Sequence, residues 1–164
     1  KTNTEWCYLL GRFGVRAAGR FARVVPEPEH LCFGDWIRQG LPFYAGNVTY
    51  LSRVTCEKRG RVILEASHFR APLLKVSVDG VRKGPIAFAP YRLDLGEWEE
   101  GLHTVELTAF GSRINTFGPV HNSDAGLRWV GPDAWRSTGN RWSYEYRLKP
   151  QGVLVTPRLW IYKG

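Results

Sequence analysis

The chain has 164 residues, of which 43% are hydrophobic and 13% aromatic, with 18 glycines and 10 prolines; this is too apolar and too aromatic for a disordered segment. No apolar run approaches the roughly 20 residues of a membrane-spanning helix, so no membrane partner is expected. The formal charge of +8 raises nucleic acid or an acidic polymer as a partner. Against nucleic acid, the arginines are scattered from Arg12 to Arg158, without a run of three and without interleaved aromatics.

This length is that of one domain with one core, and residues 1–164 read as a single domain. With no methionine and no charged-then-apolar leader, the sequence reads as a piece excised from a longer chain. Cys7, Cys32 and Cys56 are odd in number and widely spaced. They match neither a disulfide framework nor a metal knuckle, and are expected to be free thiols.

In chain order, Glu5 to Val15 and Phe21 to Val25 are strand candidates, and residues 1–30 form an N-terminal extension or edge strands. Pro26-Glu27-Pro28-Glu29 is an extended loop, because proline removes a donor and restrains its neighbour. Residues 34–47 are loop-like, with Gly34, Gly40, Pro42 and Gly46, before Val48, Tyr50, Ser52 and Val54 share one face of a strand. Arg61 to Ala66 makes the next strand, with Val62 and Leu64 on one face and Ile63 on the other.

Leu74, Val76 and Val78 alternate with Lys75, Ser77 and Asp79, which predicts a half-buried strand closed by an Asp79-Gly80 hairpin turn. A second strand follows through Val81. Val105, Leu107 and Ala109 repeat the alternation after Gly101, and a crowded polar loop runs from Gly111 to Asp124. Residues 123–142 hold Trp129, Trp135 and Trp142 without sustained period, and Gly131 to Trp135 suits one helical turn. Tyr144, Tyr146 and Leu148 alternate as another strand, Pro150-Gln151-Gly152 breaks it, and Val153 to Val155 and Leu159 to Tyr162 are the last strands. Eight or more short strands and no amphipathic helix predict an all-β, antiparallel sandwich or barrel.

The pattern KVSVDGVRKGPIAFAPYRLDLGEWEEGLHTVELTAFGS resembles the jelly-roll sugar-binding domain of glycoside hydrolase family 2 and its relatives, within the galactose-binding-like superfamily. QGLPFYAGNVTYLSRV resembles that domain's opening strand and YEYRLKPQGVLVTPRLW its closing strands, while the loop GSRINTFGPVHN is similar to one in large bacterial glycosidase-like proteins. The first thirty residues and the Trp-bearing insertion depart from the pattern. The resemblance implies a galactose-binding-domain-like jelly roll that accompanies a catalytic domain and does not itself cleave a substrate.

The residues bear on this independently. Glycoside hydrolysis needs two carboxylates facing each other across a bond, and only Asp35, Asp124 and Asp133 lie in loops where a pair could form. His30, His68, His103 and His121 lack metal-ligand spacing, so no metal and no cofactor are expected, and nothing marks a structural calcium. Sugar binding asks for aromatic faces beside amides, carboxylates or arginine. Loop 34–47 offers Trp36, Gln39, Tyr44 and Asn47; loop 111–124 offers Arg113, His121 and Asn122, with Asn115 and Asp124. If the strand from Val48 pairs antiparallel with the strand ending at Phe110, both loops share one end of the sandwich, and Tyr91 joins them. The other reading of Trp36, Phe43 and Tyr44 is as plugs of that open end. Two functions follow: a noncatalytic module that holds an oligo- or polysaccharide, or a structural domain docked on the other domains of its own chain.

Overall fold

A computed structural model of the chain describes residues 8–124, 126, 131, 134 and 139–163. It is all-β, built from antiparallel sheets. A hairpin of β1 (Gly14–Ala18) and β2 (Phe21–Val25) precedes a short 3-10 helix, Trp36–Gln39. Then come β3 (Val48–Cys56), β4 (Gly60–Glu65), β5 (Phe69–Arg70), β6 (Leu74–Val78), β7 (Val81–Ile86), β8 (Arg92–Trp98), β9 (Gly101–Ala109), β10 (Gly152–Val153) and β11 (Arg158–Lys163). One sheet has the order β3-β9-β6-β7 and the other β11-β4-β8; the chain crosses between them after β3, β7 and β8, and again from β4 by way of β5 to β6 and from β9 by way of β10 to β11, as in a jelly roll. Among the described residues no helix is long and apolar enough to cross a membrane.

The two-residue period of the strands sets the core. Val48 and Tyr50 on β3, Val105, Leu107 and Ala109 on β9, and Leu74, Val76 and Val78 on β6 point inward from one sheet. They meet Val62 and Leu64 on β4 and Leu95 and Trp98 on β8 from the other. Burial of each such aliphatic side chain stabilises the sandwich by about 1.5–3 kcal/mol. Ile63, on the outward face of β4, is only half-buried. The Asp79-Gly80 turn forms as expected, with φ of 50° and 77° at its two residues, the positive pair that a tight primed turn requires.

Three expected strands differ. The first begins at Gly14, not Glu5, and residues 8–13 lie outside it; residues 1–7 are outside the described part. The alternating Tyr144, Tyr146 and Leu148 do not form a strand. The amide of Tyr146 bonds Gly19 O at 2.9 Å and that of Arg147 bonds Val120 O at 2.6 Å, so this segment gives its donors to loops rather than to a ladder. Val153 to Val155 contributes only the two-residue β10. Trp129 and Trp135, and most of the expected helical turn around them, lie outside the described residues, as does Cys7. Cys32 and Cys56 are free thiols.

Candidate functional site

Strand register decides which loops meet. Val48 pairs with Ala109, Leu74 with Ala109 and with Ile86, Glu65 with Arg92, and Arg158 with Glu65. The loops before β3, β6, β8 and β11 and after β9 therefore gather at one end of the sandwich. There Gly111 N–H donates to Asn47 Oδ1 at 3.2 Å and Thr116 Oγ1 donates to Phe43 O at 2.6 Å, joining loops 34–47 and 111–124 directly. Gly111 packs against the carbonyls of Ala45 and Gly46 so closely that a Cβ would have no room.

Most of the aromatic and amide groups expected to face a sugar are used to hold these loops. Trp36 is the clearest correction: it is 0% exposed, and its Nε1–H donates to Tyr50 Oη at 2.7 Å. Both ring faces are covered by core, so it offers no platform to a pyranose and acts instead as the plug of the open end. Burial raises the Tyr50 phenol above its ordinary pKa, keeping it neutral against the indole. Gln39 accepts from Cys32 N at 2.8 Å and donates to Cys32 O at 3.0 Å, so its amide closes loop 32–39. Asn122 donates to Ala134 O at 3.1 Å and accepts from Asp124 N at 2.9 Å. His121 stacks on Trp142 at 4.6 Å and reaches Ser143 O through Nδ1 at 2.9 Å. Tyr44 and Asn47 are exposed, the Tyr44 hydroxyl donating to Asn47 O at 3.2 Å. Arg113 is exposed and makes no ion pair among the described residues.

The open space at this end lies beside those residues. A cleft of about 500 Å³ is lined by residues 67–72, Ala87, Tyr91, Ser112, Ile114 and residues 149–151. Of the expected site residues, Tyr91 lines it. Tyr91 has φ of 58°, a strained backbone for a bulky side chain. It is held there by Tyr91 N–H to Phe88 O at 2.9 Å and Ala66 N–H to Tyr91 O at 3.0 Å, with its ring edge-on to Phe69 at 5.3 Å.

The floor segment 149–153 is clamped from two sides. Asn115, 1% exposed, donates to Lys149 O at 2.8 Å and accepts from Lys149 N at 2.9 Å. Asp35 Oδ1 caps the 3-10 helix at Ile37 N, 3.1 Å, and also accepts from Gln151 N at 3.2 Å. Trp36 N bonds Gln151 O at 3.1 Å and Gly34 N bonds Val153 O at 2.7 Å, while β10 pairs with β5. Gly152, with φ of 98°, lies where a Cβ would meet Trp36 Cδ1 at 2.6 Å.

Within this rigid floor Gln151 is 2% exposed, and its Nε2 is buried with no partner among the described residues. Its Oε1 faces Ser112 Oγ at 3.5 Å, the long limit of a hydrogen bond. Turning the amide around would pair the nitrogen with Ser112 and orphan the oxygen, so one polar atom is left over in either orientation. Burying such an atom unpaired costs about 1–3 kcal/mol. Gln151, Ser112, Arg70 and Lys149 were not singled out from the sequence, and His68 was weighed there only as a metal ligand. Only Pro150-Gln151-Gly152 carried a signal, and that signal was a break.

No protein-family model and no curated protein matches the sequence. In fold, the chain is similar to part of a rhamnosidase from Novosphingobium sp. PP1Y, with a TM-score of 0.53 and 20% identity over 90% of this chain and 14% of that one. That likeness establishes a shared fold. Two crystal structures of a GH2 β-galacturonidase from Eisenbergiella tayi align with a TM-score of 0.41 and 23% identity, covering 65% of this chain and 18% of theirs, too loosely to carry an argument. The chain thus matches only a small part of each of these proteins.

Proposed function

We propose that this chain is a noncatalytic carbohydrate-binding accessory domain of a glycoside hydrolase-like protein, and that the cleft beside Tyr91 and Gln151 is its sugar site. The observation that carries this reading is the buried, unpartnered Gln151 amide in the wall of an open cleft that also presents an aromatic ring and the Ser112 hydroxyl. The Gln151 Nε2 is closed to solvent in the free protein, so the side chain would turn toward the cleft to meet a saccharide hydroxyl while the pyranose face covers Tyr91. A volume of about 500 Å³ suits one or two sugar units. No Asp or Glu lines the cleft, so it lacks the carboxylate pair of a glycosidase. The fold shared with a small segment of a rhamnosidase supports an accessory place in a longer chain, where tethering would raise the local concentration of substrate. In this reading Arg113 stands beside the cleft on the loop that bears Ser112, and Asn47, on loop 34–47, is tied to that loop through Gly111.

Calorimetric titration of a glycan panel, followed by Tyr91→Ala and Gln151→Leu, tests it. Binding that either substitution abolishes, in protein whose melting stays cooperative, is expected. Glycan binding that survives both places the site elsewhere.

A second reading rests on a separate observation. Phe21 and Val24 on the β1-β2 hairpin are 68% and 53% exposed, and Trp160 and Tyr162 lie half-open on β11. These apolar edges favour a structural domain docked on its own parent chain, with no sugar bound.

A further inference from the structure

We infer that the cleft selects an anionic saccharide, one bearing a carboxylate or sulfate group; this rests on the reading that the cleft binds carbohydrate. The lining carries two cationic side chains and no acidic one. Arg70 and Lys149 contribute cations, neither makes an ion pair among the described residues, and no acidic side chain lines the cleft to neutralise them. Guanidinium and ammonium groups donate only. The Gln151 amide is closed to solvent and can turn either of its atoms to Ser112, so it favours neither kind of ligand. A neutral sugar hydroxyl brings one donor beside its two acceptor lone pairs, and a cation leaves that donor unmet. A carboxylate or sulfate accepts only, and leaves no such donor.

Position supports the same assignment. Arg70 sits on β5, whose partner is Gly152 on β10, and Lys149 is fixed at both backbone atoms by Asn115. Lys149 thus departs from the clamped floor, and Arg70 from the strand paired with it. Elsewhere several acidic residues are drawn into pairs with other arginines, as in Arg92 with Glu65 at 2.8 Å and Arg12 with Glu27 at 2.9 Å. The excess of positive charge at the cleft is therefore local, and distinct from the scattered arginines behind the net +8.

The experiment is calorimetric titration at about 0.15 M salt, which screens long-range attraction. The probes are trisaccharides of hexuronic acids, a sulfated hexose trisaccharide, and their neutral hexose counterparts. The acidic probes are expected to bind and the neutral ones to bind at least tenfold more weakly. Arg70→Gln and Lys149→Gln are each expected to weaken the acidic probe roughly tenfold, as for loss of one charged hydrogen bond. Arg16→Gln and Arg23→Gln on the β1-β2 hairpin serve as charge-matched controls and are expected to change nothing. Whether the uronate or the sulfated probe binds tighter identifies the anionic group. Equal binding of neutral and acidic probes, lost in Gln151→Leu, overturns the inference and leaves the sugar site standing. Acidic binding that falls as much in the hairpin controls also overturns it, as an effect of bulk charge. Binding of no saccharide at all overturns both readings.

Discussion

Gln151 has a polar nitrogen shut away from water without an acceptor, an arrangement that weakens the free protein. Gln151→Leu is therefore expected to leave the unfolding free energy unchanged or to raise it by about 1 kcal/mol, in urea denaturation. A loss of more than about 2 kcal/mol would mean that the amide is bonded in the free protein. Trp36 behaves in the opposite way. It fills the end of the core and donates to Tyr50, so Trp36→Ala should cost about 3–5 kcal/mol by the same measurement. An exposed sugar platform would cost well under 1 kcal/mol. The sequence could not separate these roles for Trp36, since a tryptophan in a Gly- and Pro-rich loop fits either. Burial was decided by Gly152, which is distant in the chain and has no side chain to keep the indole out. Gln151 was illegible for the same reason: the loops that enclose it come from four places in the sequence.

At the scale of elements, the strands with a partner across the core were plain from their alternation. The 74–78 strand, its Asp79-Gly80 turn and the 101–109 strand follow from spacing alone. Tyr144 to Leu148 shows the limit, because alternation also arises in an extended loop whose amides bond other loops. The turn carries a pH-sensitive tie. His103 Nδ1 meets Asp79 Oδ2 at 2.7 Å and its Nε2 meets Glu99 O at 2.9 Å. With both ring nitrogens facing acceptors, the imidazolium is favoured: the Asp79 bond first and the Glu99 carbonyl second raise His103 above its ordinary value of 6.5. Asp79 is lowered from 3.8, first by the Thr104 N–H and then by His103.

Both shifts describe one contact. A raised histidine contributes stability fully below 6.5 and loses it as pH rises through its folded value, while a lowered aspartate loses its share as pH falls through its own. The tie is thus strongest between about pH 4 and 6.5. Thermal melting at about pH 6 and pH 9 should show wild type losing its advantage over His103→Gln at the higher pH. A difference that is the same at both would rule out the tie. On the cleft floor, Asn115→Ala removes two bonds to Lys149 and should cost about 1–3 kcal/mol. It should also weaken glycan binding, because residues 149–151 lose one of their two clamps. Binding that stays intact after such a loss would show that Asp35 alone positions Gln151.

For the whole molecule, the sandwich follows from eight or more short strands, and the shared end of loops 34–47 and 111–124 follows from antiparallel pairing of β3 with β9. What could not be read was which residues at that end stay open. The aromatic and amide groups of those two loops are largely spent on packing and loop closure, and the open space lies against segments 67–72 and 149–151. The division has a physical logic: rigid loops, held by Trp36, Gln39, Asn122 and His121, leave the cleft walls fixed before any ligand arrives.

The most direct test is a proton–nitrogen correlation spectrum of the chain titrated with the glycan that binds best. The Gln151 side-chain amide should shift most, with the backbone amides of Arg70, Tyr91, Ser112 and Lys149, while the β1-β2 hairpin stays unmoved. Shifts confined to the hairpin or to β11, or none with any glycan, would contradict a sugar site in this cleft and leave the docked structural domain.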